Sequence, residues 1–167
     1  KLQEQRLVAL RAMQRLAQRP DILFDHIGDP LDKALAMQAQ TLAAAQSNYR
    51  WLGALPHAAT LARIQRAHAL VHASVMEGGA HVVMEAACSG TPVLASRIPG
   101  NVGMLGAAYG GYFEVSDDAE LAKLLVRARD DKAWLNKLNQ QVGRRAKLFA
   151  PALERRTLLA IVKRALG

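Results

Sequence analysis

Short apolar runs alternate with amphipathic stretches along this chain. Apolar residues recur at helical spacing through residues 2–18, and Pro20 ends the predicted helix. Short, mostly apolar runs predict strands at 22–27, 50–52, 69–73, 92–95 and 110–115. The intervening patterns predict helices at 31–46, 60–67 and 80–88, and everything after Asp117 is predicted helical, with breaks near Asp130 and Pro151.

This alternation of strands and helices predicts the fold class. Strands that are apolar throughout imply a parallel sheet covered by helices on both faces, because an antiparallel hairpin would expose one polar face. We therefore predict an α/β domain with a doubly wound, Rossmann-like parallel sheet and C-terminal helices. Ligands of such folds bind beyond the carboxyl ends of the strands, which directs attention to the loops after Leu52, Ala73 and Ala95.

Length and composition indicate one globular domain. The chain has 167 residues, of which 51% are hydrophobic and 22% charged, a balance that excludes a disordered chain. No apolar run approaches the roughly 18 residues of a membrane span, and the single cysteine, Cys88, cannot form an internal disulfide. We therefore expect a cytoplasmic protein. The chain opens on Lys1 in a helical pattern, so we expect residues 1–167 to be one domain of a longer, two-domain protein.

The net charge of +8 does not by itself indicate nucleic-acid binding. Four arginines between residues 49 and 117 are balanced by four acids, so the excess lies in the terminal helices. Aromatic residues make up only 5% of the chain and do not alternate with basic ones, which disfavours a surface for stacking bases.

The most informative segment runs from Ser74 to Val93. Two glycines, Gly78 and Gly79, precede a predicted helix, so a ligand can approach the backbone and the free N–H groups at the helix start favour a phosphate. Glu77 lies before this helix and Glu85 more than one turn inside it. Carboxylates accept hydrogen bonds from sugar hydroxyls, so the segment suits an elongated nucleotide sugar.

Here the sequence resembles the carboxy-terminal domain of the retaining GT-B glycosyltransferases of family 4. The resemblance rests on Glu77, seven intervening residues and Glu85, followed by the run Gly90-Thr91-Pro92-Val93. It extends over nearly the whole chain through three further runs: Gly28-Asp29, Trp51-Leu52-Gly53 and Phe113-Glu114-Val115.

This resemblance implies a role for each matching residue. Glu85 would hold the ribose hydroxyls of a UDP-sugar, and the loop from Gly53 to Leu55 would lie against the base. The catalytic candidate Glu77 would position the donor sugar, and Lys1 corresponds to the family's diphosphate-binding lysine. The donor sugar and diphosphate would also be held by the amides that follow Glu77, at Gly78, Gly79, Ala80, His81, Val82 and Val83. The implied enzyme is a hexosyltransferase that needs no metal or cofactor and is inactive without its N-terminal acceptor domain.

Departures from the family pattern resemble a narrower group, the selenosugar synthases of selenoneine biosynthesis. The family usually has Phe-Gly where this chain has Gly79-Ala80, and a Glu shortly after the loop at residues 98–103. The pattern of the selenosugar synthases is similar to four runs of this chain, at residues 49–53, 55–57, 76–85 and 96–103. It implies transfer of a sugar from a UDP-sugar to selenophosphate.

Other functions stay open at this level. A non-catalytic nucleotide-binding or protein-interaction module on the same fold would not need Glu85, and an NAD-dependent enzyme would bind NADH rather than UDP. His81 is as consistent with packing as with ligand binding. His68 and His72 are four residues apart but fall on a predicted strand, where that spacing separates them by roughly 13 Å, so we expect no metal site. The donor sugar and the oligomeric state are not encoded in any pattern we recognise.

Overall fold

The computed structural model describes residues 7–30, 32–76 and 78–149. The predicted site residues Lys1 and Glu77 lie outside the described residues, as does the predicted break at Pro151. The strands are β1 (Phe24–His26), β2 (Tyr49–Trp51), β3 (Leu70–His72), β4 (Val93–Ser96) and β5 (Tyr112–Phe113). The helices are α1 (Val8–Arg15), α2 (Lys33–Ala45), α3 (His57–Arg66), α4 (His81–Cys88), α5 (Pro99–Leu105), α6 (Asp118–Asp130) and α7 (Lys132–Ala146), followed by a 3-10 turn at Lys147–Phe149.

All strand pairs in the described residues are parallel. β1 pairs with β2 in one sheet, and β4 lies between β3 and β5 in a second sheet. A helix follows each of the five strands, as the crossover between parallel strands requires. The predicted α/β class with parallel strands is therefore confirmed.

The core is centred on β4, whose four residues are all buried. Both α4 and α7 present a buried apolar stripe, and α1 packs against α6 on another side of the domain. The buried members of the α4 and α7 stripes are Val83, Ala86, Ala87, Trp134, Leu138 and Val142. Because β4 is covered on both faces, its carboxyl end is held rigidly and can present loops to a ligand.

Aspartate side chains begin three of the helices. Asp32 accepts a hydrogen bond from the Leu35 amide, Asp117 from the Glu120 amide and Asp131 from the Trp134 amide. Each such cap contributes about 1 kcal/mol. The predicted helix after Asp117 and its break near Asp130 are confirmed.

Two elements differ from the predictions. The segment Pro99–Leu105, most of which falls in the stretch 98–103 described above as a loop, is helix α5. Proline at the start of this helix has the φ angle that a first turn needs, and the buried Asn101 and Leu105 hold the segment against the core. Helix α3 was predicted to begin at residue 60 but begins at His57, directly after its N-cap Pro56.

A half-buried histidine in β1 and a buried tyrosine in β2 predict how stability depends on pH. The Tyr49 hydroxyl lies 2.6 Å from His26 Nδ1, and burial lowers the pKa of His26 and raises the pKa of Tyr49 to about 12. Both groups are therefore neutral at pH 7, with the tyrosine donating. As pH falls below about 6.5, the unfolded chain binds a proton that folded His26 resists, so the free energy of unfolding must fall.

We expect urea unfolding at pH 7.5 and 5.5 to show this loss, at no more than about 1.4 kcal/mol per pH unit for one proton. His26→Asn should flatten the pH dependence, whereas the matched change at the exposed His68, His68→Asn, should leave it in place. An unaltered slope in His26→Asn would contradict the assignment.

Candidate functional site

The loops after β1 and β2 are joined to each other. The Gly28 amide donates to the Gly53 carbonyl at 2.9 Å, and Trp51 Nε1 donates to the Gly28 carbonyl at 3.0 Å. Gly53 has a φ of 64°, a left-handed conformation that favours glycine, and a side chain placed there would meet open space. The predicted base-binding loop, Gly53 to Leu55, therefore starts from a fixed, uncrowded turn.

The amino end of α4 differs from the Asp-capped helix starts. Its N-cap, Ala80, has extended backbone angles and no side-chain hydrogen bond. The Ala80 carbonyl accepts hydrogen bonds from Val83 N–H at 3.0 Å and from Met84 N–H at 3.3 Å. The Val83 amide therefore donates its hydrogen bond within the helix. Of the predicted diphosphate-binding amides, those that precede Val83 are left to face a ligand. Those first-turn N–H groups have no acceptor within the helix and carry its partial positive charge.

Gly78 and Gly79 leave room in front of this helix end. Both glycines are exposed. A Cβ at Gly78 would meet nothing within 4 Å, and one at Gly79 would contact only Met104 Sδ, at 3.6 Å. The packing of the described residues therefore does not require glycine at either position, whereas the approach of a ligand to the backbone does favour it.

Glu85 lies in the second turn of α4 and has a partner that the sequence did not reveal. Its Oε1 lies 2.7 Å from Nε2 of His57, the first residue of α3. The Glu85 side chain is 20% exposed and the His57 side chain 73% exposed. The pair links Glu85, the residue predicted to bind the ribose, to helix α3, which follows the Gly53–Leu55 loop. In the sequence, Pro56-His57 indicates only the start of a helix. It does not predict that His57 contacts Glu85.

A buried polar network supports the loop that carries Gly78 and Gly79. Asn101, with 0% exposure, donates through Nδ2 to the Ser96 carbonyl at 2.8 Å, and its Oδ1 lies 3.1 Å from His72 Nδ1. The Ser96 hydroxyl in turn donates to the Ser74 carbonyl. These contacts connect the ends of β3 and β4 to α5, directly beneath the start of the loop. No pattern in the sequence predicted these contacts.

The structure therefore brings together only part of the predicted set. Gly78, Gly79 and the first turn of α4 form one surface, where His81 is exposed and Val82 half-buried. Glu85 contacts His57, which follows the Gly53–Leu55 segment by two residues in the chain. Two surface depressions, of about 530 and 400 Å³, lie against α1, and no predicted site residue in the described part of the chain lines either of them.

The residues that the structure describes contain neither a candidate metal site nor a candidate membrane span. Within 7–30, 32–76 and 78–149, no group of three or more His, Cys, Asp or Glu side chains is arranged to hold a metal ion. No helix in the same ranges has the length and apolar character to cross a bilayer.

Comparison with known proteins places this geometry in context. The family model described as "Glycosyl transferases group 1" matches residues 6–149. No curated protein sequence matches the chain significantly.

Solved structures that share the fold include the following two. A point mutant of S. aureus TarM, in complex with fondaparinux, alpha-GlcNAc-glycerol and UDP, has a TM-score of 0.67 and 16% identity over 86% of this chain. AviGT4, a glycosyltransferase involved in avilamycin A biosynthesis, has a TM-score of 0.55 and 18% identity over 92% of this chain. The chain spans 28% of the first protein and 48% of the second.

Proposed function

We propose, from the premise that this chain belongs to the group 1 glycosyl transferases, that it is the domain that binds a UDP-sugar donor. The observation that carries the proposal is the amino end of α4: its N-cap residue Ala80 makes no side-chain hydrogen bond, two exposed glycines precede it, and Glu85 lies one turn further on. The helix end suits a phosphate group, and the Glu85 carboxylate suits the hydroxyls of a sugar joined to that phosphate. The TarM structure, similar in fold, is a complex with UDP.

In this proposal the helix end stabilises the leaving group. As the bond between the sugar and UDP breaks, negative charge develops on the diphosphate, and the first-turn amides are already oriented toward it. We propose that this charge is stabilised without a metal ion or other cofactor, with Lys1 contributing a positive charge. Glu77 would orient the sugar rather than attack it. The roles of Lys1 and Glu77 rest on the family resemblance.

We propose that a second domain completes the enzyme. The chain spans less than half of each of the two structurally similar proteins, 28% and 48%, so an acceptor-binding domain is expected elsewhere in the protein. The described domain alone should then bind UDP but transfer no hexosyl group. A protein-interaction module without catalysis predicts instead that Glu85 can be replaced without loss of nucleotide affinity.

We further propose selenophosphate as the acceptor, supported by the runs at 49–53, 76–85 and 96–103. Transfer would break the bond between the anomeric carbon and UDP and form one between that carbon and selenium. The test is mass spectrometry of products from the full-length enzyme given a UDP-sugar with selenophosphate or with phosphate. A selenium-containing sugar supports the assignment, and a phosphate product alone rejects it.

Replacing Glu85 tests the donor site directly. Hydrogen bonds donated to a charged acceptor contribute about 1.5–3 kcal/mol, so Glu85→Ala should weaken UDP binding at least about tenfold by isothermal titration calorimetry. Glu114→Ala, which removes an exposed acid just beyond β5, should leave the affinity within about twofold. NADH should not compete. If the folded wild-type domain failed to bind millimolar UDP, the proposed function would be rejected.

A further inference from the structure

The contact between His57 and Glu85 assigns a function to a residue outside the predicted site. We propose that His57 is a positioning residue: it holds the Glu85 carboxylate in the orientation that receives the ribose of the donor. This inference rests on the proposed function and concerns the same site. It starts from the 2.7 Å separation between His57 Nε2 and Glu85 Oε1.

The two oxygens of the Glu85 carboxylate have different roles in this geometry. Oε1 accepts from the His57 ring, and a second oxygen, Oε2, is left to accept from a ligand hydroxyl. A glutamate side chain has several rotatable bonds, and fixing them costs conformational entropy when a ligand binds. With His57 in contact, much of that ordering is present before the ligand arrives, so the ligand meets a preorganised acceptor.

The contact is not needed to hold the two helices together. α3 is anchored near its other end, where the Thr91 hydroxyl donates to the Ile64 carbonyl at 2.8 Å in a buried position and Ile64 itself is buried. The His57 side chain, by contrast, is 73% exposed, and contacts between side chains at the surface contribute little to folding. Its effect should therefore appear in ligand binding rather than in stability.

The position of His57 in the chain also favours a ligand role. It begins α3 immediately after the segment Gly53 to Pro56, and the amides of Ala59 and Thr60 donate to the Pro56 carbonyl at 2.9 and 3.0 Å. The backbone that carries the ring is therefore fixed. The short segment from Gly53 to His57 thus contains both the predicted base-binding loop and the side chain that orients the Glu85 carboxylate. A nucleoside would then be held at its base and at its ribose.

The test is isothermal titration calorimetry of the full chain with UDP and with 2′,3′-dideoxy-UDP, which lacks both ribose hydroxyls. His57→Ala should weaken UDP binding about three- to tenfold and leave dideoxy-UDP binding unchanged. In a Glu85→Ala background it should have no further effect. His57→Gln, whose amide can donate to the carboxylate, should recover most of the affinity, and His68→Ala, at an exposed histidine, should change nothing.

Three results would overturn the inference. Equal losses for both nucleotides would show a general effect on the fold, and tighter UDP binding in His57→Ala would show that the ring competes with the ribose. A His57→Ala effect that persists without Glu85 would show that the two residues act separately. Failure of the wild-type chain to bind UDP would reject the proposed function and the inference with it, whereas intact UDP binding with any of these three results would reject the inference alone.

Discussion

Gly111→Ala is expected to lower the free energy of unfolding by about 3 kcal/mol, at the upper end of the cost of overpacking a core. A Cβ at this position would lie 2.5 Å from the Val93 carbonyl oxygen and 2.8 Å from Cε1 of the Tyr109 ring. Neither neighbour can move easily, because the Tyr109 hydroxyl donates to the Val93 carbonyl and accepts from the Val93 amide. Val93 belongs to the central, fully buried strand β4.

Urea unfolding followed by circular dichroism measures this loss. The matched control is Gly143→Ala, since a Cβ at Gly143 in helix α7 meets nothing within 4 Å. That substitution should raise the free energy of unfolding by about 0.5–1 kcal/mol through helix propensity. If the two alanine variants were equally stable, the packing described around Gly111 would be wrong.

The strands were predictable because each one satisfies a rule that acts over a few residues. The run before Gly28 and the run from Val93 are short and bounded by glycine or proline, and a buried parallel strand needs no polar face. Helix α6 was likewise predictable from Asp117, because a side chain that caps its own helix is a local signal. The phosphate-binding interpretation of Gly78 and Gly79 is a prediction of the same local kind.

Helix α5 was not predictable from propensity because tertiary packing overrides it. Gly100 and Gly103 are poor helix formers, yet Asn101 and Leu105 are buried on the side that faces the core. The one local signal in favour of helix was Pro99 at the first turn. Such a conflict between local preference and packing is resolved only when the rest of the domain is present.

The contacts within the candidate site were hidden for a different reason. His57 and Glu85 are 28 residues apart in sequence, and Asn101 and His72 are 29 apart. No periodicity or spacing rule connects residues on separate helices and strands of an α/β fold. The family resemblance predicted Glu85 as a ligand, but the residue that orients it follows from the relative placement of α3 and α4.

Asn101→Ala is expected to lower the free energy of unfolding by about 2–4 kcal/mol, the range for breaking a buried hydrogen-bonded network. The Asn101 side chain is fully buried. Its Nδ2 donates to the Ser96 carbonyl, and its Oδ1 lies within hydrogen-bond distance of His72 Nδ1. Alanine would leave the buried Ser96 carbonyl without this donor and would create a small void. The better helix propensity of alanine would offset about 0.7 kcal/mol of the loss.

The same substitution should also loosen the candidate phosphate loop, since Ser96 supports the Ser74 carbonyl at the start of that loop. Amide hydrogen exchange should therefore accelerate at residues 72–76 and 93–96 more than in α7. Asn136→Ala, at an exposed position of α7, is the matched control and should change neither stability nor exchange at these strands. Uniform acceleration across the domain would instead mean that Asn101 supports the fold as a whole, with no particular connection between β3, β4 and the loop.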